Sequence, residues 1–148
     1  MSPSQKLSPH FSLSEFACHD GHPVPAHAVA AVAAWCTAWG EPFRKEFGPV
    51  TVLSGYRTVA YNRSVGGAVG SYHIYTAGGA SDQARSLLRG VAVDVRAAKG
   101  GPLSWHLWAQ EHRQRSTYLA PRGRGGVGYY PTSGFVHLDT GPRRNWQG

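Results

Sequence analysis

Eight of the 148 residues are acidic, few enough that each can be asked what it does. Glu41, Glu46 and Glu111 fall on expected helices, where a solvated face is the default. Glu15 closes Ser12-Leu-Ser-Glu15, the S-x-x-E pattern of a capping box. Asp94 and Asp139 are different: they interrupt the apolar strand patterns Val91-Ala-Val-Asp-Val95 and Phe135-Val-His-Leu-Asp139. A half-buried carboxylate is costly unless it is hydrogen-bonded, paired or bound to a cation. Strand side chains alternate, so His137 and Asp139 share one face and Val136 and Leu138 the other, while Asp94 faces away from Val93 and Val95. His73 ends the loop Gly70-Ser-Tyr-His73. Two imidazoles and one carboxylate, with a fourth position left for water, make up a catalytic zinc site. The same residues also allow a plainer reading, in which Asp94 and Asp139 pair with two of the arginines and the histidines face solvent.

The elements that must position these groups can be read from periodicity. Pro25 suits a first helical position, Val29, Val32, Ala33 and Cys36 recur at helical spacing, and Gly40 is a stop, giving a helix over 25–39 with a further turn over 43–47. Residues 49–54 form a strand that enters the turn Ser54-Gly-Tyr-Arg57, and 91–95 form a second. Leu103, Leu107, Trp108, Glu111, Tyr118 and Leu119 predict an amphipathic helix ending before Pro121. Strands over 127–130 and 135–139 close a hairpin across Pro131-Thr-Ser-Gly134. This order of runs predicts an α+β fold, a small antiparallel sheet packed with helices in one domain.

The 15 Lys and Arg against 8 Asp and Glu leave a formal charge of +7. Nucleic acid, an anionic membrane and bacterial wall polymers are the partner classes such a charge attracts. The basic residues are scattered, with no long run and no finger, basic-zipper or RNP signature, which argues against a nucleic-acid surface. No window approaches the roughly 18 consecutive apolar residues of a membrane span, and residues 1–10 lack the apolar core of a secretory signal. Cys18 and Cys36 belong to no C-x-x-C pair. They read as a disulfide or as two unpaired small hydrophobes.

An ordered set of motifs adds to this reading: Ser54-Gly-Tyr-Arg-Thr58, Asn62, Gly66-Gly-Ala68, Ser71-x-His73, Gly90-x-Ala-x-Asp94, Gly125-Gly-Val-Gly-Tyr-Tyr130 and Phe135-Val-His-Leu-Asp139. The set resembles the zinc D-alanyl-D-alanine peptidase family, which includes carboxypeptidases, murein endopeptidases and phage endolysins and shares its fold with the hedgehog signalling domain. The resemblance runs from about Phe11, where Phe-Ser-Leu-Ser-Glu-Phe-Ala-Cys18 is typical of phage-borne members, to Trp146. It implies that His73, Asp94 and His137 ligate one Zn²⁺ per chain. By the same resemblance Arg57 anchors a substrate carboxylate or peptide backbone and Ser71 adds a polar contact. Tyr130, with Tyr129 and Trp146, suits the lining of a cleft. His10, His19, His22, His27, His106 and His112 are expected to face solvent.

Two departures from the family pattern stand out. The family's S-x-H-x-x-G-x-A-x-D spacing is stretched here to 21 positions between His73 and Asp94, which implies a loop insertion within 74–89. Closing a longer loop costs little more, so the ligands can still converge. Asp82 inside the insertion competes with Asp94 as a ligand but lacks its strand setting. Many relatives also carry an acidic residue three positions before the last zinc histidine, where this chain has Gly134. Asp139 is then the expected catalytic carboxylate, activating water and protonating the leaving amine. Its alternative role is to orient His137. The whole reads as a zinc-dependent peptidase acting on peptidoglycan stem or cross-bridge peptides, in a phage lysis or virion-associated enzyme made in the host cytoplasm. The alternative is a non-catalytic wall-binding or phage structural module retaining the fold. Neither a nucleic-acid partner nor membrane insertion is expected.

Overall fold

The helix expected over 25–39 opens with a 3₁₀ turn at Ala26–Ala28 and becomes α1, Val29–Trp35, in the computed structural model, which describes residues 5–75 and 89–148. Ala28, Ala31, Val32, Trp35, Cys36 and Trp39 recur at three- and four-residue intervals and are all buried, the stripe that commits this segment to a helix. Gly40 does not stop it. The helix continues through a π-type turn, Cys36–Gly40, into α2, Glu41–Phe47, and ends at Gly48, whose φ is +80°. Gly40 is instead a packing position, because a Cβ there would lie 2.7 Å from the Trp35 ring and 2.9 Å from that of Phe11.

Two short strands that no pattern announced, β1 (Lys6–Ser8) and β2 (Phe11–Ser12), pair ahead of this helix. Glu15 accepts the backbone N–H of Ser12 at 2.7 Å, as the capping pattern predicts. Glu41, expected on a solvated face, instead accepts the Ser8 hydroxyl at 2.6 Å and pairs with His10 Nδ1 at 2.7 Å. Burial pushes its pKa up, but these partners outweigh burial and hold it low.

The main sheet has five strands in the order β3-β4-β6-β5-β7: β3 is Val50–Ser54, β4 Ala92–Ala97, β5 Arg124–Tyr130, β6 Phe135–Pro142 and β7 Arg144–Gln147. Neighbours are antiparallel except β5 and β7. β7 was not expected. It reaches its place because the chain steps across the start of β5, where Arg143 N–H donates to Gly123 O.

Between β3 and β4 lies a short α3, Val59–Ser64, capped by Thr58, whose hydroxyl accepts Tyr61 N–H at 3.1 Å. The insertion expected within 74–89 lies, but for its ends, outside the described residues. The later helix breaks sooner than Pro121. α4 spans Pro102–Arg115; the Ser116 hydroxyl then accepts the N–H groups of Tyr118 and Leu119 and opens α5, Leu119–Arg122, which contains Pro121. The buried stripe of α4 is Trp105, Ala109 and Arg113, while Leu103 and Leu107 are exposed. His106 is stacked on Tyr129, and His112 is half-buried with Nε2 2.8 Å from Ala38 O, so neither faces solvent freely. No helix among the described residues is long and apolar enough to cross a membrane.

One face of the sheet packs on the helices. Val93, Val95, Val127, Val136 and Leu138 join Trp35, Trp39, Phe43 and Trp105 in one apolar cluster. The indoles of Trp35 and Trp39 donate to the carbonyls of Leu138 and Asp139, each at 2.9 Å, which ties the helix layer to β6. Both cysteines are buried and unbridged.

Candidate metal centre and its cleft

The other face of the sheet carries the chemistry, and register explains how. Asp94 on β4 stands opposite Ser54 on one side and His137 on the other; His137 is followed by Gly128 on β5 and Trp146 on β7. The next row reads Ala92, Asp139, Gly126 and Arg144. Two glycines in these rows make room. A Cβ on Gly126 would overlap the Asp139 carboxylate, and one on Gly128 would come within 2.6 Å of the Trp146 indole. The Gly-Gly-Val-Gly sequence of β5 therefore places Val127 in the core and leaves, on the other face, the room that the Asp139 carboxylate and the Trp146 indole fill.

His73 is brought to this face by a loop. Its N–H donates to Ser71 Oγ at 3.1 Å, its carbonyl accepts Arg57 N–H at 2.7 Å, and its Nδ1 lies 2.8 Å from Gly55 O. A carbonyl only accepts, so Nδ1 bears the proton and Nε2 turns its lone pair to Asp94 Oδ1, 3.2 Å away. His137 is held in the opposite sense: Nε2 donates to Asp139 Oδ2 at 2.8 Å, and Nδ1 lies 3.2 Å from the same Asp94 oxygen. Ligand atoms of His73, Asp94 and His137 lie within 4.8 Å of one another, and all three residues are buried. Among the described residues no other such group of three converges. Three acceptors aimed at one point repel unless a cation or proton sits among them. Burial pushes the Asp94 carboxyl up, yet with protons on the facing imidazole nitrogens their charge and hydrogen bonds outweigh burial and hold it well below the carboxylate range. Burial likewise opposes charge on His137, and its hydrogen bond to Asp139 and, when a proton occupies Nδ1, the one to Asp94 raise it. Two nitrogens and one oxygen, each ring fixed through its outer nitrogen, suit a divalent metal.

Asp139 is fully enclosed and fully used. Oδ1 accepts the N–H groups of Gly126 and Gly141, each at 2.9 Å; Oδ2 accepts His137 and, at 3.0 Å, Arg144 Nη2. Arg57 lies on the other flank of the triad. Its Nη2 is 3.5 Å from Asp94 Oδ2, Nε donates to Ser54 Oγ at 3.0 Å and Nη1 to Asn62 Oδ1 at 3.2 Å. Asp20 braces that loop by accepting the Thr58 hydroxyl at 2.9 Å. Both pairings of the plainer reading, aspartates with arginines, thus coexist with the triad.

A cleft of about 520 Å³ opens over these groups, lined by Arg57, Ser71, His73, Tyr130, Arg144 and Trp146 among others. Tyr129 does not join Tyr130 and Trp146 there, because it packs on His106 of α4. Arg144 and Tyr72, which also line the cleft, had no role in the sequence-based expectation. The position of Arg144 behind the strand pattern of β6 was the available signal. Asp82 lies outside the described residues.

An α+β domain whose sheet and one adjoining loop set two imidazoles and a carboxylate at the floor of an open cleft has the donor set of a hydrolytic metal enzyme. The chain belongs to the Peptidase M15 family, which matches residues 9–139. It is 38% identical over 104 residues to the probable peptidoglycan L,D-endopeptidase MepK of Haemophilus influenzae, an alignment covering 67% of this chain and 43% of that protein. It is also 38% identical over 99 residues to the peptidoglycan L,D-endopeptidase MepK of Escherichia coli K12, covering 66% and 43% respectively. The chain thus spans less than half the length of these relatives. No solved structure matches it.

Proposed function

We propose that the chain is a zinc-dependent peptidase that hydrolyses peptidoglycan stem or cross-bridge peptides. The observation that carries this reading is the convergence of His73 Nε2, Asp94 Oδ1 and His137 Nδ1 below an open cleft, with the outer nitrogen of each ring already engaged. The relatives' designation as peptidoglycan L,D-endopeptidases supports the substrate class. His73, Asp94 and His137 would hold one zinc ion per chain, which would supply Lewis acidity toward the scissile carbonyl and hydroxide near neutral pH.

The chain's own groups bind and orient. Arg57, fixed by Ser54 and Asn62, presents a guanidinium edge beside Asp94 to a substrate carboxylate or peptide carbonyl. Ser71 holds the His73 backbone from the cleft wall, and Tyr130, bonded through its hydroxyl to Trp146 Nε1 at 2.8 Å, lines the far side. Asp139 acts in this reading as a positioning residue, since both of its oxygens are saturated and none of its surface is exposed. The excess of basic residues supports attraction to anionic wall polymers, reached during phage lysis or from a virion.

One observation favours a second reading. Among the described residues the cleft is lined by no carboxylate other than Asp94, which fits a wall-binding module that keeps the fold without turnover. Elemental analysis, paired with fragment release from purified peptidoglycan before chelation, after it and after zinc restoration, separates the two. About one zinc per chain with chelator-sensitive release is expected. Zinc with wall binding but no release would mean the module, and no zinc would overturn the ligand set.

A further inference from the structure

Asp94 and His137 of the triad stand on the interior strands β4 and β6, and the two cleft arginines reach the triad from opposite edges of the sheet. Arg57 follows β3, and Arg144 stands on β7. We propose that Arg144 is a specificity-determining residue that binds a second substrate carboxylate, across the scissile bond from the group held by Arg57. The proposal deepens the peptidase reading and rests on it for the position of the scissile bond.

The Arg144 guanidinium is built into its place. It lies 4.8 Å from the ring centroid of Tyr72 and 4.8 Å from that of Trp146, and Nη2 donates to Asp139 Oδ2 at 3.0 Å. Its register partner on β5 is Gly126, whose missing side chain leaves room for the Asp139 carboxylate that Arg144 meets. Arg113 shows what a purely structural arginine looks like here: it is buried, with Nη1 donating to Gly125 O and Arg144 O and Nη2 to Asn145 Oδ1. The Arg144 side chain is instead 42% exposed, and beyond the Asp139 bond its donors meet no acceptor among the described residues. Arg113 and Asn145 fix the backbone of β7 from behind, so the charge is held while its outer edge stays open to the cleft. A planar fork of this kind matches a carboxylate.

Charge points the same way. With a divalent cation at the triad, the two arginines and the metal outweigh Asp94 and Asp139, and the cleft is net positive. A peptide with a free carboxylate on each side of the cleaved bond fits it better than one with a single terminal carboxylate.

The test uses synthetic peptidoglycan peptides whose free carboxyls are converted to carboxamides one at a time. Cleavage and calorimetric binding are measured for the wild-type chain, Arg144→Gln and Arg144→Lys. For the wild type, amidation at one position is expected to lower kcat/KM and affinity about tenfold, ~1.4 kcal/mol. In Arg144→Gln the free-to-amidated ratio at that position falls to within about twofold of one, while the ratio at other positions persists. Arg144→Lys, which keeps the charge, retains part of the preference. A wild-type chain indifferent to amidation, or a ratio unchanged in Arg144→Gln, overturns the proposal. Absence of cleavage for every peptide would sink the peptidase reading alone, because the binding ratios still report the carboxylate.

Discussion

Asp139 is where a catalytic and a positioning role part most cleanly. An Asn at this position keeps the shape but turns either an N–H toward His137 or an unsuitable donor toward Gly126 and Gly141. Asp139→Asn is therefore expected to weaken zinc binding by about 10- to 100-fold, the usual cost of losing a partner behind a metal-bound histidine. Competition with a chromophoric chelator reads this directly. Unchanged zinc affinity with abolished hydrolysis would return Asp139 to the role of base. Cys36 offers an independent check on the interior. Burial pushes its thiol up to about 12 from an ordinary value of 9.0. The folded chain thus keeps the proton that the unfolded chain releases, so the contribution is complete below pH 9 and declines as pH rises from 9 toward 12. Urea unfolding at a series of pH values should show stability falling by at most ~1.4 kcal/mol per pH unit in that window, with a flatter profile for Cys36→Ala. The native thiol should also resist alkylation at pH 8.

At the scale of elements, β5 is the strand whose small residues matter most. Gly126→Ala would drive a methyl into the Asp139 carboxylate. It is expected to cost ~1–3 kcal/mol in denaturant unfolding, as overpacking does, and to lower zinc affinity with it. A fully stable, zinc-replete Gly126→Ala chain would refute the account of the glycine rows. The same scale shows what the sequence made legible. β4 and β6 were readable because valine alternation survives the insertion of Asp94, His137 and Asp139, and that alternation already placed His137 and Asp139 on one face. β7 was not, since Arg144-Asn-Trp-Gln147 is an exposed edge strand with no alternation, and Arg144 was hidden with it. α4 was misread for a related reason: its inward stripe includes Arg113, which satisfies carbonyls rather than apolar neighbours, while Leu103 and Leu107 point out. Gly40 looked like a helix stop because one of the rings that require its small size, Phe11, comes from β2, and the other, Trp35, reaches it only when the helix runs on past it.

For the whole molecule, metal and fold should be coupled. The three acceptors come from β4, β6 and the loop that carries His73, so an ion at the triad joins segments far apart in the chain. Zinc at a hundredfold excess over its Kd adds about 2.7 kcal/mol, a rise in Tm on the order of 10 °C for a domain of this size. Calorimetry with zinc and with chelator should show the shift, and His73→Ala should abolish it. An identical Tm under both conditions would mean that the triad holds no ion.

The two polar rows also make the site an error check on strand pairing. A slip of β6 by one residue would send His137 and Asp139 into the layer of Trp35 and Trp39 and bring Val136 and Leu138 to the cleft, since side chains alternate with period two. Such a slip leaves His73 and Asp94 together but takes away the third ligand. An ion that binds only the correctly paired sheet draws the population toward it by mass action, so the residues that equip the cleft for chemistry also proofread its assembly.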